Sequence, residues 1–203
     1  LQKIVLATHN KHKIVEMNQI LCDYPFDFKS LVDFPNSVSP DETGTTYTEN
    51  ALLKAKDAAA FTGLPSLSDD SGIEVADLDD RPGLYSARYG GSELNQAGKI
   101  QLLLSELEKT GSTTRRARFR CVIALVHPDG REWISEGVRE GTITLQPKGE
   151  HGFGYDPIFW LELYAKSMAE LTEATKNRIS HRALALHSLF ERLHKENPSY
   201  PQL

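Results

Sequence analysis

Lys3-Ile4-Val5-Leu6-Ala7-Thr8-His9-Asn10-Lys11-His12-Lys13 decides the fold class. Residues 3–7 are an unbroken apolar run and read as a buried strand. Residues 8–12 are a polar loop. Residues 13–21 predict a helix with Ile14, Met17, Ile20 and Leu21 on one face. A strand that feeds a helix through a short polar loop is the start of an α/β arrangement.

Outward from this unit, residues 26–31 predict a second strand and residues 36–45 a loop. Thr46 and Glu49 have capping-box spacing. They open a helix that runs to Thr62, where Gly63 stops it. A short strand then carries the pair Asp69-Asp70 to its end, with Ser71-Gly72 as a turn. Residues 73–76 continue as extended chain, and residues 81–91 are irregular. Residues 92–109 predict a helix with Ile100, Leu103, Leu104 and Leu107 at helical spacing. Residues 119–126 form a strand, turned by Pro128-Asp129-Gly130 into a returning strand from Arg131. Residues 142–145 predict a further strand, residues 149–157 a glycine-rich loop, and residues 158–160 a strand leaving it. Ser180 caps a last helix with Leu186, Leu189, Phe190 and Leu193 on one face. The expectation is an α/β fold: a mixed, twisted central sheet with flanking helices, one domain of two lobes over residues 1–203 with a central cleft.

Composition narrows the function classes. A chain of 203 residues buries enough surface to need no staples. Its net charge of −5 argues against a general nucleic-acid binder. No apolar run approaches membrane-spanning length. The two cysteines, Cys22 and Cys121, match no zinc or redox spacing, which fits a reducing cytoplasm.

Four segments carry candidate chemistry. In the first, Thr8, His9, Asn10, Lys11, His12 and Lys13 lie at a helix start, where unpaired amides and the positive end of the dipole suit phosphate. It is not a Walker A loop, because the required glycines and Ser/Thr are absent. In the second, the loop acids Asp41 and Glu42 and the helical Lys54 combine with Asp69 and Asp70 into a possible hard-cation site, since Mg²⁺ is commonly held by one or two carboxylates. Taken alone, Glu49 is explained by capping and the acidic pair by a solvated turn. In the third, Gly152-Phe153-Gly154-Tyr155-Asp156-Pro157 has glycines that free Phe153 to swing over a flat ligand, with Asp156 as an acceptor. In the fourth, Lys176-Asn177-Arg178-Ile179-Ser180-His181-Arg182 places cations in a first helical turn, where the dipole disfavours them unless something electron-rich compensates.

These segments, in this order, resemble the inosine triphosphate pyrophosphatase family. The resemblance is carried by Thr8-x-Asn10-x-x-Lys13, Glu42-Thr43-Gly44, Glu49-Asn50-Ala51, Lys54-Ala55, Asp69-Asp70-Ser71-Gly72, Pro82-Gly83, Ser86-Ala87-Arg88-Tyr89, residues 152–157 and Ser180-His181-Arg182. It implies an elongated fold with a central cleft and a homodimer. It implies Mg²⁺-dependent hydrolysis of ITP, dITP and XTP to the monophosphate and pyrophosphate, which cleanses the nucleotide pool. By resemblance the loop from Thr8 to Lys13 holds phosphates with help from Lys54. Asp70 is general base and metal ligand, and Asp41 or Glu42 is the second ligand. Ser71 contacts substrate. Phe153, Gly154, Tyr155, Asp156, Lys176, His181 and Arg182 form the base pocket. His181 and Arg182 are donors and suit a C6 carbonyl, whereas adenine presents an amine; a buried unpaired donor costs about 1–3 kcal/mol. The sequence departs from the family's pattern at His9 and His12, which stand where the phosphate loop often has glycines, and at Ala183. The alternatives are a related enzyme preferring pyrimidine or modified nucleotides, and a nucleotide-binding protein that does not hydrolyse.

Overall fold

The computed structural model describes residues 1–91 and 93–196. Its strands are β1 (Lys3–Leu6), β2 (Asp27–Ser30), β3 (Ser66–Val75), β4 (Arg81–Pro82), β5 (Arg116–Val126), β6 (Glu132–Ile143), β7 (Phe159–Leu161) and β8 (Lys166–Ser167). Its α-helices are α1 (Lys11–Ile20), α2 (Tyr47–Thr62), α3 (Gln96–Lys109), α4 (Glu173–Ile179) and α5 (His181–Glu196). The sheet order is β2-β1-β3-β5-β6-β7-β8, with β4 on β3. β1 pairs parallel with β2 and β3, while β3–β4, β6–β7 and β7–β8 are antiparallel. The sheet is therefore mixed and flanked by helices, as the βα start and the central hairpin require.

The chain divides into two compact units: residues 1–70, 121–137 and 181–203, and residues 71–120 and 138–180. The first has a core of Ile4, Leu6, Met17, Leu21, Leu67, Ile123 and Leu125 with the apolar stripe of α5, Leu186, Leu189, Phe190 and Leu193. Cys121 is buried in this core and Cys22 is exposed; both are free thiols. The second unit packs Ile100, Leu103, Leu104 and Leu107 of α3 against Ile73, Val75, Ile158 and Phe159. The Phe119 and Phe159 rings lie 4.5 Å apart, centroid to centroid.

Several expected boundaries move, each for a local reason. α1 begins at Lys11, because Asn10 caps it by accepting from the His12 and Lys13 amides. α3 begins at Gln96, where Asn95 accepts from the Gly98 amide, and not at Ser92, which lies outside the described residues. Thr46 does cap α2, but the Glu49 carboxylate reaches back mainly to the Thr45 amide and hydroxyl, at 2.6 and 2.9 Å. Gly63 ends the helix at φ +67°. The separate strand expected at residues 142–145 is the end of β6, which runs unbroken from Glu132 to Ile143. A 3₁₀ turn over Asp156–Ile158 delays β7 by one residue. The largest correction concerns the acidic pair. β3 is one strand of 10 residues, so Asp69 to Gly72 lies inside it and is neither a strand end nor a turn.

Candidate active site

Residues from four elements and one loop of the first unit meet at Asp69 and Asp70. Successive strand residues face opposite ways, and the two carboxylates have different partners. Asp69 is 1% exposed. Its Oδ2 accepts from Arg182 Nε and Nη2 of α5, at 3.1 and 2.8 Å, and lies 3.0 Å from Lys13 Nζ of α1. Arg182 also donates to Glu16, one turn along α1 from Lys13. Burial alone would push the Asp69 carboxyl up; Lys13, Arg182 and Lys54 outweigh it and hold Asp69 well below the usual carboxylate range.

Asp70 is 6% exposed and faces α2. Its Oδ1 accepts from Lys54 Nζ at 3.2 Å and its Oδ2 from Asn50 Nδ2 at 3.2 Å. Lys54 Nζ also donates to Glu42 Oε1 at 2.7 Å, so the ammonium bridges Glu42 and Asp70. Asn50 is fully buried, and its Oδ1 accepts from the Gly44 amide at 2.8 Å. One carboxamide thus fixes both Asp70 and the end of the loop that carries Glu42. Burial raises the Asp70 pKa, with Glu42 and Asp69 adding to it, against the pull of Lys54 and Lys13. Burial lowers the Lys54 ammonium, but Asp70, Asp69 and Glu42 reverse this and leave it raised. Of the two loop acids, the fold brings Glu42 to Asp70 through Lys54 and leaves Asp41 exposed. Among the described residues, no group of three or more His, Cys, Asp or Glu is arranged to hold a metal.

At the start of α1, Thr8 Oγ1 accepts from the Asn10 amide, and the Asn10 side-chain oxygen is used by the helix cap. Lys11 and His12 lie exposed on the first turn. The His9 ring turns to Ser37 and Ser39 of the loop before α2.

The second unit holds its own cluster. Asp156 is buried; its Oδ2 accepts from Lys176 Nζ of α4 at 2.7 Å and from the Phe153 amide at 2.8 Å. Lys176 Nζ lies 4.7 Å from the Phe153 ring centroid, a cation–π distance. A Cβ on Gly152, at φ +74°, would overlap the Asp156 carboxylate. The glycine therefore serves a tight turn over Asp156. Phe153 is tied at its backbone amide to Asp156, and Lys176 lies over its ring. Tyr155 lies in the core and donates to the Ser86 carbonyl at 3.1 Å. Gly154 and Ser71 are half-buried.

The fold thus gathers Lys13, Lys54, Glu42, Asp69, Asp70 and Arg182 in the first unit, and Phe153, Asp156 and Lys176 in the second. His181 folds with the first unit, buried at the start of α5. Arg182, whose donors the resemblance directs to a base, is 2% exposed, with its guanidinium held by Asp69 and Glu16. Three contributors escaped the sequence reading: Glu16, the tethering role of Asn50, and Gly137. At Gly137 of β6 a Cβ would overlap the His181 carbonyl and come within 2.5 Å of the Ala185 nitrogen. That bare backbone lets α5 approach and place Arg182.

Comparison with known proteins gives the family. The model of the Ham1 family matches residues 4–192. A dITP/XTP pyrophosphatase of Exiguobacterium sp. is 46% identical over 92% of this chain and 94% of its own. A dITP/XTP pyrophosphatase of Haemophilus influenzae is 47% identical over 95% of this chain and 99% of its own. The solved structure of a HAM1 protein from Coxiella burnetii has a TM-score of 0.87 at 42% identity, covering 96% of this chain and all of that one. The Staphylococcus aureus Ham1 protein gives a TM-score of 0.85 at 38% identity, covering 97% of this chain and all of that one. With the family model spanning nearly the whole chain and relatives this similar over their full lengths, the chain belongs to the Ham1 family.

Proposed function

We propose that this protein hydrolyses nucleoside triphosphates carrying non-standard purines, dITP, ITP and XTP, to the monophosphate and pyrophosphate with Mg²⁺. The observation that carries the reading is the unequal charge setting of two adjacent carboxylates. Asp69, its pKa held low by Lys13, Arg182 and Lys54, is an anchor for cations. Asp70 has its proton affinity raised by burial, the property a general base needs to take a proton from an attacking water. Lys13 and Lys54 point ammonium groups into the same site, where they neutralise phosphate charge; such electrostatic work is the larger part of phosphoryl-transfer catalysis. The positive end of the α1 dipole adds a favourable potential for phosphate oxygens.

Glu42 and Asp70 fit Mg²⁺ by their chemistry. Both are hard oxygen donors, and the Lys54 ammonium already lies between them as a cation. When bound, Mg²⁺ supplies charge neutralisation to the phosphate oxygens. Lys54 would then be available to neutralise phosphate charge beside the metal. Lys176, held by Asp156 over the Phe153 ring, is the donor that suits a purine C6 carbonyl, and the ring offers a stacking face. The free thiols Cys22 and Cys121 support a reducing compartment, the cytoplasm. The exposed Tyr85, with Arg88 over its ring at 5.0 Å, supports a homodimer surface on the turn at residues 83–88.

The test is pyrophosphate release across a nucleotide panel with and without Mg²⁺. Release from ITP and XTP far faster than from ATP, and only with metal, is the expected result. Equal rates for ITP, ATP and CTP would sink the selectivity, and no release from any nucleotide would sink the function.

A further inference from the structure

His9 has a task of its own, and its hydrogen bonds show which. Ser37 Oγ donates its one hydrogen to the Leu31 carbonyl at 2.8 Å. It can then only accept from the His9 ring, whose Nε2 lies 3.1 Å away. This assigns the proton of a neutral imidazole to Nε2 and leaves Nδ1 to accept from the Ser39 hydroxyl at 2.7 Å.

The tie falls where the chain needs it. Residues 37–44 have no regular secondary structure. At one end the Ser37 amide donates to the Phe34 carbonyl at 3.2 Å; at the other the Gly44 amide donates to Asn50 at 2.8 Å. Between them lie Ser39, Pro40, Asp41 and Glu42. Pro40 has a fixed φ, so anchoring Ser39 restricts the arc through which Glu42 can swing. Glu42 is the acid whose Oε1 meets Lys54 Nζ. A glycine at position 9 would carry none of these bonds.

We propose that His9 is a positioning residue, tying the Glu42 loop to the start of α1 so that the Glu42 carboxylate is held for its cation before the cation arrives. The proposal rests on the reading of Glu42 as an Mg²⁺ ligand. It assigns the imidazole to the loop and not to phosphate.

The first arm of the test is metal-free cleavage of the full-length protein by a glutamyl endopeptidase, following the fragment that ends at Glu42. Cleavage is expected about ten-fold faster in His9→Gly and in Ser39→Ala, since cutting tracks the open population. The double variant is expected to be no faster than the quicker single one, because both changes break one tie. Cleavage at the unaltered rate in His9→Gly overturns the proposal. The second arm is Mg²⁺ titration of ITP turnover in Ser39→Ala. The half-saturating Mg²⁺ concentration is expected to rise about five-fold, the worth of one hydrogen bond, with kcat at saturating metal retained. An unchanged Mg²⁺ requirement beside faster cleavage overturns the positioning role. If turnover by the unaltered protein ignores Mg²⁺, the ligand reading of Glu42 fails, while the protease arm still decides whether the tie exists.

Discussion

Asp69 and Asp70 are neighbours in one strand, and burial pushes both carboxyls up, yet the surrounding charges leave Asp69 lowered and Asp70 raised. Asp69 Oδ2 receives Arg182 and Lys13 and stays charged far into acid. Asp70 shares Lys54 with Glu42, and its pKa is raised. The strand pleat sends one carboxylate toward α1 and α5 and the other toward α2. One therefore holds the site together and the other is left with proton affinity to use.

The two asparagine variants should separate on stability. Asp69→Asn leaves the buried Arg182 and the half-buried Lys13 facing a neutral amide, and breaking a buried ion pair from one side costs about 3–5 kcal/mol. Asp70→Asn removes a carboxylate whose burial is not fully compensated. It should unfold at or above the unaltered protein's temperature. Thermal unfolding of both variants checks this, and equal losses would dissolve the distinction.

The acid-side profile follows from the same shifts. A depressed folded-state pKa contributes stability that is present above the ordinary value of 3.8 and is lost as pH falls through the folded value. Asp69 thus drives a progressive loss that begins as pH falls below about 3.8, and Asp69→Asn should flatten the profile over that whole range. A raised folded-state pKa has the opposite sign. Asp70 costs stability progressively as pH climbs above 3.8 toward its folded value. The advantage of Asp70→Asn should grow over that rise and then level. Denaturant unfolding at stepped pH measures both; a constant difference would be the contrary result.

Asp70→Asn should also retain ITP binding and lose turnover, since the asparagine keeps an oxygen for Lys54 but cannot take a proton. Binding is read by titration with ITP and turnover by pyrophosphate release. Near-normal kcat would remove Asp70 from the base role.

The apolar stripes were legible because periodicity is local. Ile100, Leu103, Leu104 and Leu107 of α3, and Leu186, Leu189, Phe190 and Leu193 of α5, are buried as their spacing predicts. The continuous β3 was not legible, because Asp, Ser and Gly also make turns. Only tertiary cations keep those carboxylates inside a strand, and Arg182 lies 113 residues from Asp69. Glu16 was silent for the same reason, its partner being 166 residues away. α4, a helix of 7 residues and about two turns, has no apolar stripe to announce it. The candidate residues were found by their order along the chain, but which carboxylate meets which cation is a property of the packing.

Gly137→Ala tests how α5 reaches its place. The added Cβ would overlap the His181 carbonyl and press on the Ala185 nitrogen, backbone atoms that cannot swing aside. The helix must shift, and Arg182 with it. A loss of about 2–3 kcal/mol is expected, in the range of overpacked cores. ITP turnover should fall together with stability, because the Asp69 anchor moves. Normal stability would mean that the strand and helix have room the geometry does not show.

The Lys176 cluster predicts a change in preference rather than in chemistry. Lys176→Met keeps the apolar stem over Phe153 and removes the charged donor. It also removes the ion pair to Asp156, which is 3% exposed. Asp156→Asn keeps an acceptor for the Phe153 amide and loses only that charge. Losing a donor to a buried carbonyl is worth about 1–3 kcal/mol, so the ratio of kcat/KM for ITP over ATP should fall by about 5- to 150-fold in Lys176→Met. The loss should sit mainly in KM, since neither residue belongs to the cluster around Asp70. Asp156→Asn should fall between that variant and the unaltered protein, because the ammonium remains but is no longer held over the ring. Parallel kinetics on ITP and ATP measure both. A drop in kcat with the ITP preference intact would assign the cluster to holding the fold and take base recognition away from it.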